Sequence, residues 1–264
     1  MSNNIDVTVA DGIADVRLDR PEKLNGLTLP MLRGLADAAH ELRTDKSLRA
    51  VILSGTGDSF CAGLDFKTVT ADPKQLPLGM IPRPWRGTNV FQEACWAWRR
   101  VPVPVIAAVH GHCYGGGLQI ALGADLRVTA PDSKWSVLEG KWGLIPDMSG
   151  VQALSELVGI ETAKRLTMTA EIISGEEAAR LGLVGQLAPE PYDAARLLAQ
   201  QLTRRSPDAL VGAKRLFDRT WRSSARHTFS RERWEQTKLL LGANFRIART
   251  AGLKREEPVF RARR

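Results

Sequence analysis

The chain opens with two short runs in which apolar and polar residues largely alternate, Ile5-Asp6-Val7-Thr8-Val9-Ala10 and Ile13-Ala14-Asp15-Val16-Arg17-Leu18. Successive side chains of a strand point to opposite faces, so alternation predicts half-buried strands. Asp11-Gly12 between them is a tight-hairpin dipeptide. The period then changes. Leu32, Leu35, Ala36, Ala39 and Leu42 share one helical face and predict a helix over 29–43. The run Ala50-Val51-Ile52-Leu53 predicts a buried strand within 49–54. Val103-Pro104-Val105-Ile106-Ala107-Ala108-Val109 predicts a second such strand, and 125–130 a third. Helices over about 88–100 and 116–122 fall between them. Strands alternating with helices over short connections indicate an α/β protein.

Segment 66–90 has no clear period and contains Pro73, Pro77, Gly79, Pro82, Pro84 and Gly87. It reads as a long loop, of the kind that serves as a lid or binding loop in compact domains. From residue 149 onward the pattern is mostly helical: 149–157, 160–168, 175–181, 191–204, 207–220 and 225–241, with a short strand over 183–187. Pro189 and Pro191 mark a boundary. The expected division is a core over 1–195 and a helical region over 196–264. No repeat of fixed period and no low-complexity tract is present.

Composition narrows the class. With 264 residues, 44% hydrophobic and 25% charged, the chain can bury a sizeable core as one large domain or a domain with an appendage. No apolar run reaches the length of a membrane span. The first residues, Met1-Ser2-Asn3-Asn4, show neither a basic start nor an apolar signal core, so a cytoplasmic location away from membranes is the expectation. Cys61, Cys95 and Cys113 lack metal-ligand spacing and cannot all pair, which suits reduced thiols. The net charge of +8 is uneven: residues 203–264 hold 17 Lys+Arg against 6 Asp+Glu. Such an end attracts phosphates, RNA or an acidic partner, or is simply a solvated arginine-rich surface; charge alone does not choose.

The candidate chemistry lies in two glycine-rich stretches, Phe60-Cys61-Ala62-Gly63-Leu64-Asp65 and Gly111-His112-Cys113-Tyr114-Gly115-Gly116-Gly117. Each follows a strand, and the second leads into a helix. Glycine lets backbone approach a ligand closely, and a helix start presents free N–H groups. Two such turns facing each other can offer two backbone donors to one oxygen, the physics of an oxyanion hole. Glu139 and Asp147 follow as candidate proton carriers.

These stretches resemble the crotonase family, also called enoyl-CoA hydratase/isomerase. Arg20-Pro21-Glu22-Lys23-Leu24-Asn25-Gly26-Leu27, the turn at 61–65, the run from Pro104 through Gly117, Ala124-Asp125-Leu126-Arg127 and Gly143-Leu144-Ile145-Pro146 carry the resemblance over nearly the whole chain. It implies an α/β, ClpP/crotonase-like spiral of ββα units with a C-terminal helical region, assembled as a homotrimer or hexamer. It implies an enzyme acting on acyl-CoA thioesters in fatty acid metabolism, with no metal and no cofactor beyond the coenzyme A of the substrate. The amides of Leu64 and Gly116 then hold the thioester oxygen. Lys23, Leu24, Gly26, Ala62, Asp65 and Phe66 fall where the family holds coenzyme A, and Tyr114, Gly115 and Gln119 lie beside the substrate.

Hydratases of this family use two glutamates. Here the first position is Gln119, and the second is Glu139. An amide cannot carry a proton as a carboxylate does. Asp147 stands eight residues past Glu139. A glutamate and an aspartate at these places are similar to Δ3,5-Δ2,4-dienoyl-CoA isomerases, which usually carry an aspartate where this chain has Gln119. Isomerisation of a dienoyl-CoA is therefore the leading expectation. Hydration of 2-trans-enoyl-CoA by Glu139, a non-catalytic acyl-CoA-binding protein and a nucleic-acid binder are the alternatives. The last lacks interleaved aromatic and basic residues. Asp147 also reads as a helix cap before Met148-Ser149-Gly150. His110 and His112 have no third ligand nearby. Gly55-x-Gly57 lacks the third glycine of a dinucleotide fingerprint, and no Gly-x-Ser-x-Gly elbow occurs. Trp85, Trp96, Trp98, Trp135 and Trp142 read as core or interface residues.

Overall fold

A computed structural model of the chain describes residues 3–71 and 75–264. Strands β1 (Ile5–Ala10) and β2 (Ile13–Leu18) form the expected hairpin, turning through Asp11 and Gly12, both with positive φ. Helix α1 (Leu29–Thr44) starts where the Thr28 side chain accepts the Met31 amide, with Pro30 in the first turn. It buries Leu32, Leu35, Ala39 and Leu42. Strand β3 (Ala50–Gly55) pairs parallel to β2.

The expectation of a long loop over 66–90 is corrected. Helices α2 (Phe66–Val69) and α3 (Gln75–Met80) form within it; Pro73 lies outside the described residues. Asp65 caps α2 by accepting the Thr68 amide. Elements of four and six residues are too short to print a helical period on the sequence. Helix α4 (Val90–Arg100) begins in a capping box, Asn89 accepting from Gln92 N and Gln92 from Asn89 N.

Then come β4 (Val105–Val109), β5 (His112–Tyr114), α5 (Gly116–Leu122), β6 (Leu126–Thr129) and β7 (Lys134–Ser136). A 3-10 turn at Leu138–Trp142 precedes α6 (Gly150–Leu157), α7 (Ile160–Thr169), β8 (Ile173–Ser174), α8 (Gly175–Arg180) and β9 (Gln186–Leu187). The chain ends in α9 (Pro191–Thr203), α10 (Pro207–Thr220), α11 (Ala225–Leu240) and α12 (Ala243–Lys254).

Two sheets result. The larger has the order β1-β2-β3-β4-β6-β9, parallel from β2 onward. The smaller joins β5, β7 and β8. Single bridges extend the smaller one: Cys61 pairs with Cys113, Cys113 with Trp135, and Trp135 with Ile173. Each pass of the chain thus leaves the large sheet, turns through this second row and returns by a helix, which is the expected spiral. Alternate residues of β3 serve two cores. Val51 and Leu53 face α1 and α4, while Ala50 and Ile52 pack with Ile106, Val128, Ala195 and Ala199. Burial on both faces explains why these strands read as unbroken apolar runs.

Ala195 and Ala199 of α9 are fully buried in the second core, so the expected division at 195/196 falls inside a helix that covers the sheet. Lys214 of α10 donates to Trp98 O and Val103 O and pairs with Asp125 at 2.7 Å, and Arg263 donates to Arg43 O and Asp45 O at the end of α1. Part of the basic C-terminal charge is therefore spent tying the tail to the core. Cys61, Cys95 and Cys113 are buried and unpaired. Among the described residues no helix is long and apolar enough to cross a membrane.

Candidate active site

The two glycine-rich turns abut. Gly63, at φ +96, takes a conformation open to glycine, and a Cβ there would stand 3.0 Å from Tyr114 O and 3.9 Å from Gly116 N. Residue 27 bridges this turn: Leu27 N donates to Gly63 O at 2.8 Å, and Asp65 N donates to Leu27 O at 2.9 Å. A parallel bridge of this kind turns the N–H of the intervening residue to the opposite edge. The Leu64 amide accordingly makes no hydrogen bond within the described residues. In the second turn Gly115, at φ +50, swings the chain into α5. Gly116 is the first residue of that helix, so its N–H has no intrahelical acceptor.

Leu64, Gly115 and Gly116 line one cavity of about 250 Å³. Glu139 and Asp147 line it too. Its remaining wall is apolar and includes Phe66, Leu76, Met80, Phe91, Trp142 and Met148. A second, open groove is lined by Arg20, Lys23, Gly26, Asp65 and Lys67. Both include Ala62, Gly63 and Leu64, so the groove leads into the cavity past the Leu64 amide.

The carboxylates sit in different settings. Glu139 is on the 3-10 turn, with its carboxylate against the open face of Gly115; a Cβ on Gly115 would lie 3.3 Å from Oε1. Burial pushes its carboxyl above the ordinary glutamate value, the amide of Gln119 pulls it back, and the Asp147 charge raises it further. Glu139 Oε2 is buried and has no hydrogen-bond partner among the described residues. Asp147 is half-buried, and burial raises its carboxyl as well. The reading of Asp147 as a helix cap is corrected: Ser149 holds that position and makes no side-chain cap bond.

Gln119 lies behind this pair, 1% exposed. Its Oε1 accepts the amides of Met148 and Gly150, both at 2.8 Å, and its Nε2 donates to Glu139 Oε1 at 2.6 Å. It does not line the cavity. Leu24 and Tyr114 line neither space; the Tyr114 ring packs edge-on to His112. Asp65 reaches the groove but also pairs with Arg20 at 2.8 Å and caps α2. His112 Nδ1 meets Ser59 Oγ, and His110 Nε2 meets Gly57 O. Among the described residues no group of three or more His, Cys, Asp or Glu is arranged to hold a metal ion.

Sequence reasoning missed the walls. Trp142 lies three residues after Glu139 on the same turn and packs against Phe66, with ring centroids 5.1 Å apart and planes tilted by 46°. Its proximity to Glu139 was the available signal. Leu76 and Met80, four apart on α3, had no signal without the helix.

A family model described as enoyl-CoA hydratase/isomerase matches residues 8–263. Carnitinyl-CoA dehydratase of Salmonella agona (strain SL483) is 34% identical over 224 residues, 83% of this chain and 82% of that protein. The mitochondrial Δ(3,5)-Δ(2,4)-dienoyl-CoA isomerase of Rattus norvegicus is 32% identical over 220 residues, 80% of this chain and 67% of that protein. The crystal structure of an enoyl-CoA hydratase from Bacillus anthracis superposes with a TM-score of 0.90 at 26% identity, covering 97% of this chain and 98% of that one.

Proposed function

The chain belongs to the enoyl-CoA hydratase/isomerase family, and from that premise we propose that it isomerises a dienoyl-CoA thioester by moving one proton between Glu139 and Asp147. The observation that carries this reading is the pairing of two carboxylates with two main-chain amides that make no hydrogen bond among the described residues, all in one apolar cavity, while Gln119 has no proton to exchange and no place in the wall. The rat relative named for the same reaction lends it weight.

The thioester lies where groove and cavity meet. Lys23 and Lys67 supply positive charge for the phosphates of coenzyme A, and the acyl chain enters among Phe66, Phe91 and Trp142. The carbonyl oxygen accepts from Leu64 N–H and Gly116 N–H. Glu139, beside Gly115, removes the proton on the α-carbon. The C–H electron pair moves into the conjugated chain, the double bonds shift one position each, and negative charge collects on the thioester oxygen. Asp147, protonated at the start, delivers its proton to the far end of the diene. Glu139 ends protonated and Asp147 ionised, and exchange with solvent resets them. Two carboxyl groups held above their ordinary range by burial suit a site that shares one proton. Each amide donor at the oxyanion is worth roughly 3–4 kcal/mol of barrier.

Purified protein incubated with a 3,5-dienoyl-CoA should generate the conjugated 2,4-dienoyl-CoA without uptake of water oxygen. Hydration of 2-trans-enoyl-CoA without diene formation, scored by incorporation from labelled water, would overturn the assignment in favour of a hydratase. We further infer a homotrimer or hexamer, supported by the exposed Phe217 on α10, Trp221 just past its end, and Phe229 and Trp234 on α11. Solution mass checks it. A cytoplasmic location fits the three unpaired thiols.

A further inference from the structure

We propose that Gln119 is a positioning residue that sets both carboxylates at once: its amide nitrogen fixes one oxygen of Glu139, and its amide oxygen clamps the turn carrying Asp147. The proposal rests on the reading of Glu139 and Asp147 as proton carriers.

The orientation of this amide is dictated by its partners. Two main-chain N–H groups, of Met148 and Gly150, point at one end, which must therefore be the oxygen. A carboxylate oxygen stands 2.6 Å from the other end, which must be the nitrogen. A flipped amide would lose all three bonds. Met148 directly follows Asp147, so the clamp closes on the residue next to the carboxylate it places. The clamp also needs glycine at 150: a Cβ there would stand 2.6 Å from Gln119 Oε1. Gln119 itself sits on α5, the helix whose first residue supplies the Gly116 amide. One short helix thus carries a donor for the oxyanion and the fixture for both proton carriers.

Three chemical consequences follow. Glu139 Oε1 is occupied, so Oε2, buried and unpartnered, is the oxygen free to take a proton. The Gln119 oxygen has both lone pairs filled by main-chain N–H groups, so it is not available to orient a water. The amide hydrogen bond also favours ionised Glu139, opposing burial and the Asp147 charge. Asp147 is the charged group that reaches Glu139 among the described residues; the Cys95 thiol behind them feels both carboxylates and stays protonated.

The test is the pH profile of α-proton exchange into deuterated water with hexanoyl-CoA, which reports Glu139 whether or not a double bond moves. Gln119→Met removes all three bonds at similar length. Gln119→Glu keeps an acceptor for the two main-chain amides but sets a second carboxylate against Glu139. In both, the acid limb should move to higher pH, further in Gln119→Glu, with the plateau rate down by about 10²-fold and KM changed far less. Should Gln119→Met fail to fold, Gln119→Glu decides alone, because it retains the clamp. A limb left at the wild-type pH, with the rate lowered equally at every pH or not lowered, would overturn the positioning role. Wild-type exchange without diene formation would defeat the isomerase reading while leaving this one intact. Absence of exchange in the wild type would remove both.

Discussion

Replacing Glu139 by glutamine separates a catalytic carboxylate from a structural one. The side chain keeps its size, and an amide oxygen at this place still accepts from Gln119 Nε2, now at 2.6 Å. What is lost is the capacity to hold a proton. General acid–base assistance is worth about 10²–10⁴-fold, which is roughly 3–5.5 kcal/mol of barrier. Initial rates with a 3,5-dienoyl-CoA should fall by that factor, and affinity for the CoA ester should be retained because the groove and the two amides are untouched.

Stability should move the other way. Burial holds the Glu139 carboxyl above its ordinary value of 4.5 in the folded protein. Between that value and the raised one, the folded state binds more protons than the unfolded state. Stability therefore falls as pH rises through this window and stays lower above it. A neutral amide carries no such penalty. The variant should melt above the wild type at pH 8 and level with it at pH 4, each kcal/mol recovered appearing as about 2–4 °C. Thermal melts at the two pH values supply the check. Full activity in the variant, or activity lost together with CoA-ester binding and a lower melting temperature at pH 8, would refute the reasoning.

Asp147→Asn should likewise abolish isomerisation while CoA-ester binding, measured by calorimetry, stays within a few-fold of wild type. Glu93 is 2% exposed, accepts from Arg100 and Thr88, and lies 2.9 Å from His40 Nε2, tying the segment before α4 to α1. Glu93→Gln leaves Arg86 and Arg100 without the buried counter-charge they share, and chemical denaturation should show a loss of about 3–5 kcal/mol. The Cys61 thiol is pushed up to about 12 by burial, and Cys95 and Cys113 are buried as well. Iodoacetamide at pH 8 should leave all three unmodified in the native protein and label them after denaturation, as read by intact mass.

Strands and helices with a full period were legible in the residues. The β1–β2 hairpin, α1, β3, α5 and α9 through α11 stand within a residue or two of where alternation or helical spacing put them. Three kinds of element were not. Strands β7 and β8, of three and two residues, are defined by partners rather than by period. The 3-10 turn bearing Glu139 begins without a side-chain cap. Helix α12 buries only Asn244 and Ala251, too few positions to print a face. At the site, Glu139 and Asp147 were legible as residue types at a spacing. Their environment was not, because Trp142, Leu76 and Phe91 reach the cavity from three separate elements. The role of Gln119 was least legible of all. A substitution visible in the sequence as a missing carboxylate turns out to be a three-bond fixture once residues 148 and 150 fold back over α5.

That fixture gives glutamine a role at a position where a carboxylate would face Glu139 directly. The Asp147 charge already raises the cost of ionising Glu139, and burial raises it for both carboxyls. A carboxylate at 119 would point one oxygen at Glu139 Oε1 across 2.6 Å, the distance now spanned by an N–H donor. The two could persist at that separation only by sharing a proton, and the second carboxylate would keep Glu139 from reaching the ionised form it needs as a base until higher pH. An amide removes the conflict and supplies a hydrogen where charge would repel. Addition of water in this family draws on two glutamates that hold it between them. Here the partner of Glu139 is a donor with its oxygen fully engaged, and the second carboxylate, Asp147, lines the same cavity beside Met148. On the isomerisation we propose, such a pair passes a proton along a substrate chain rather than seating a water molecule between its members.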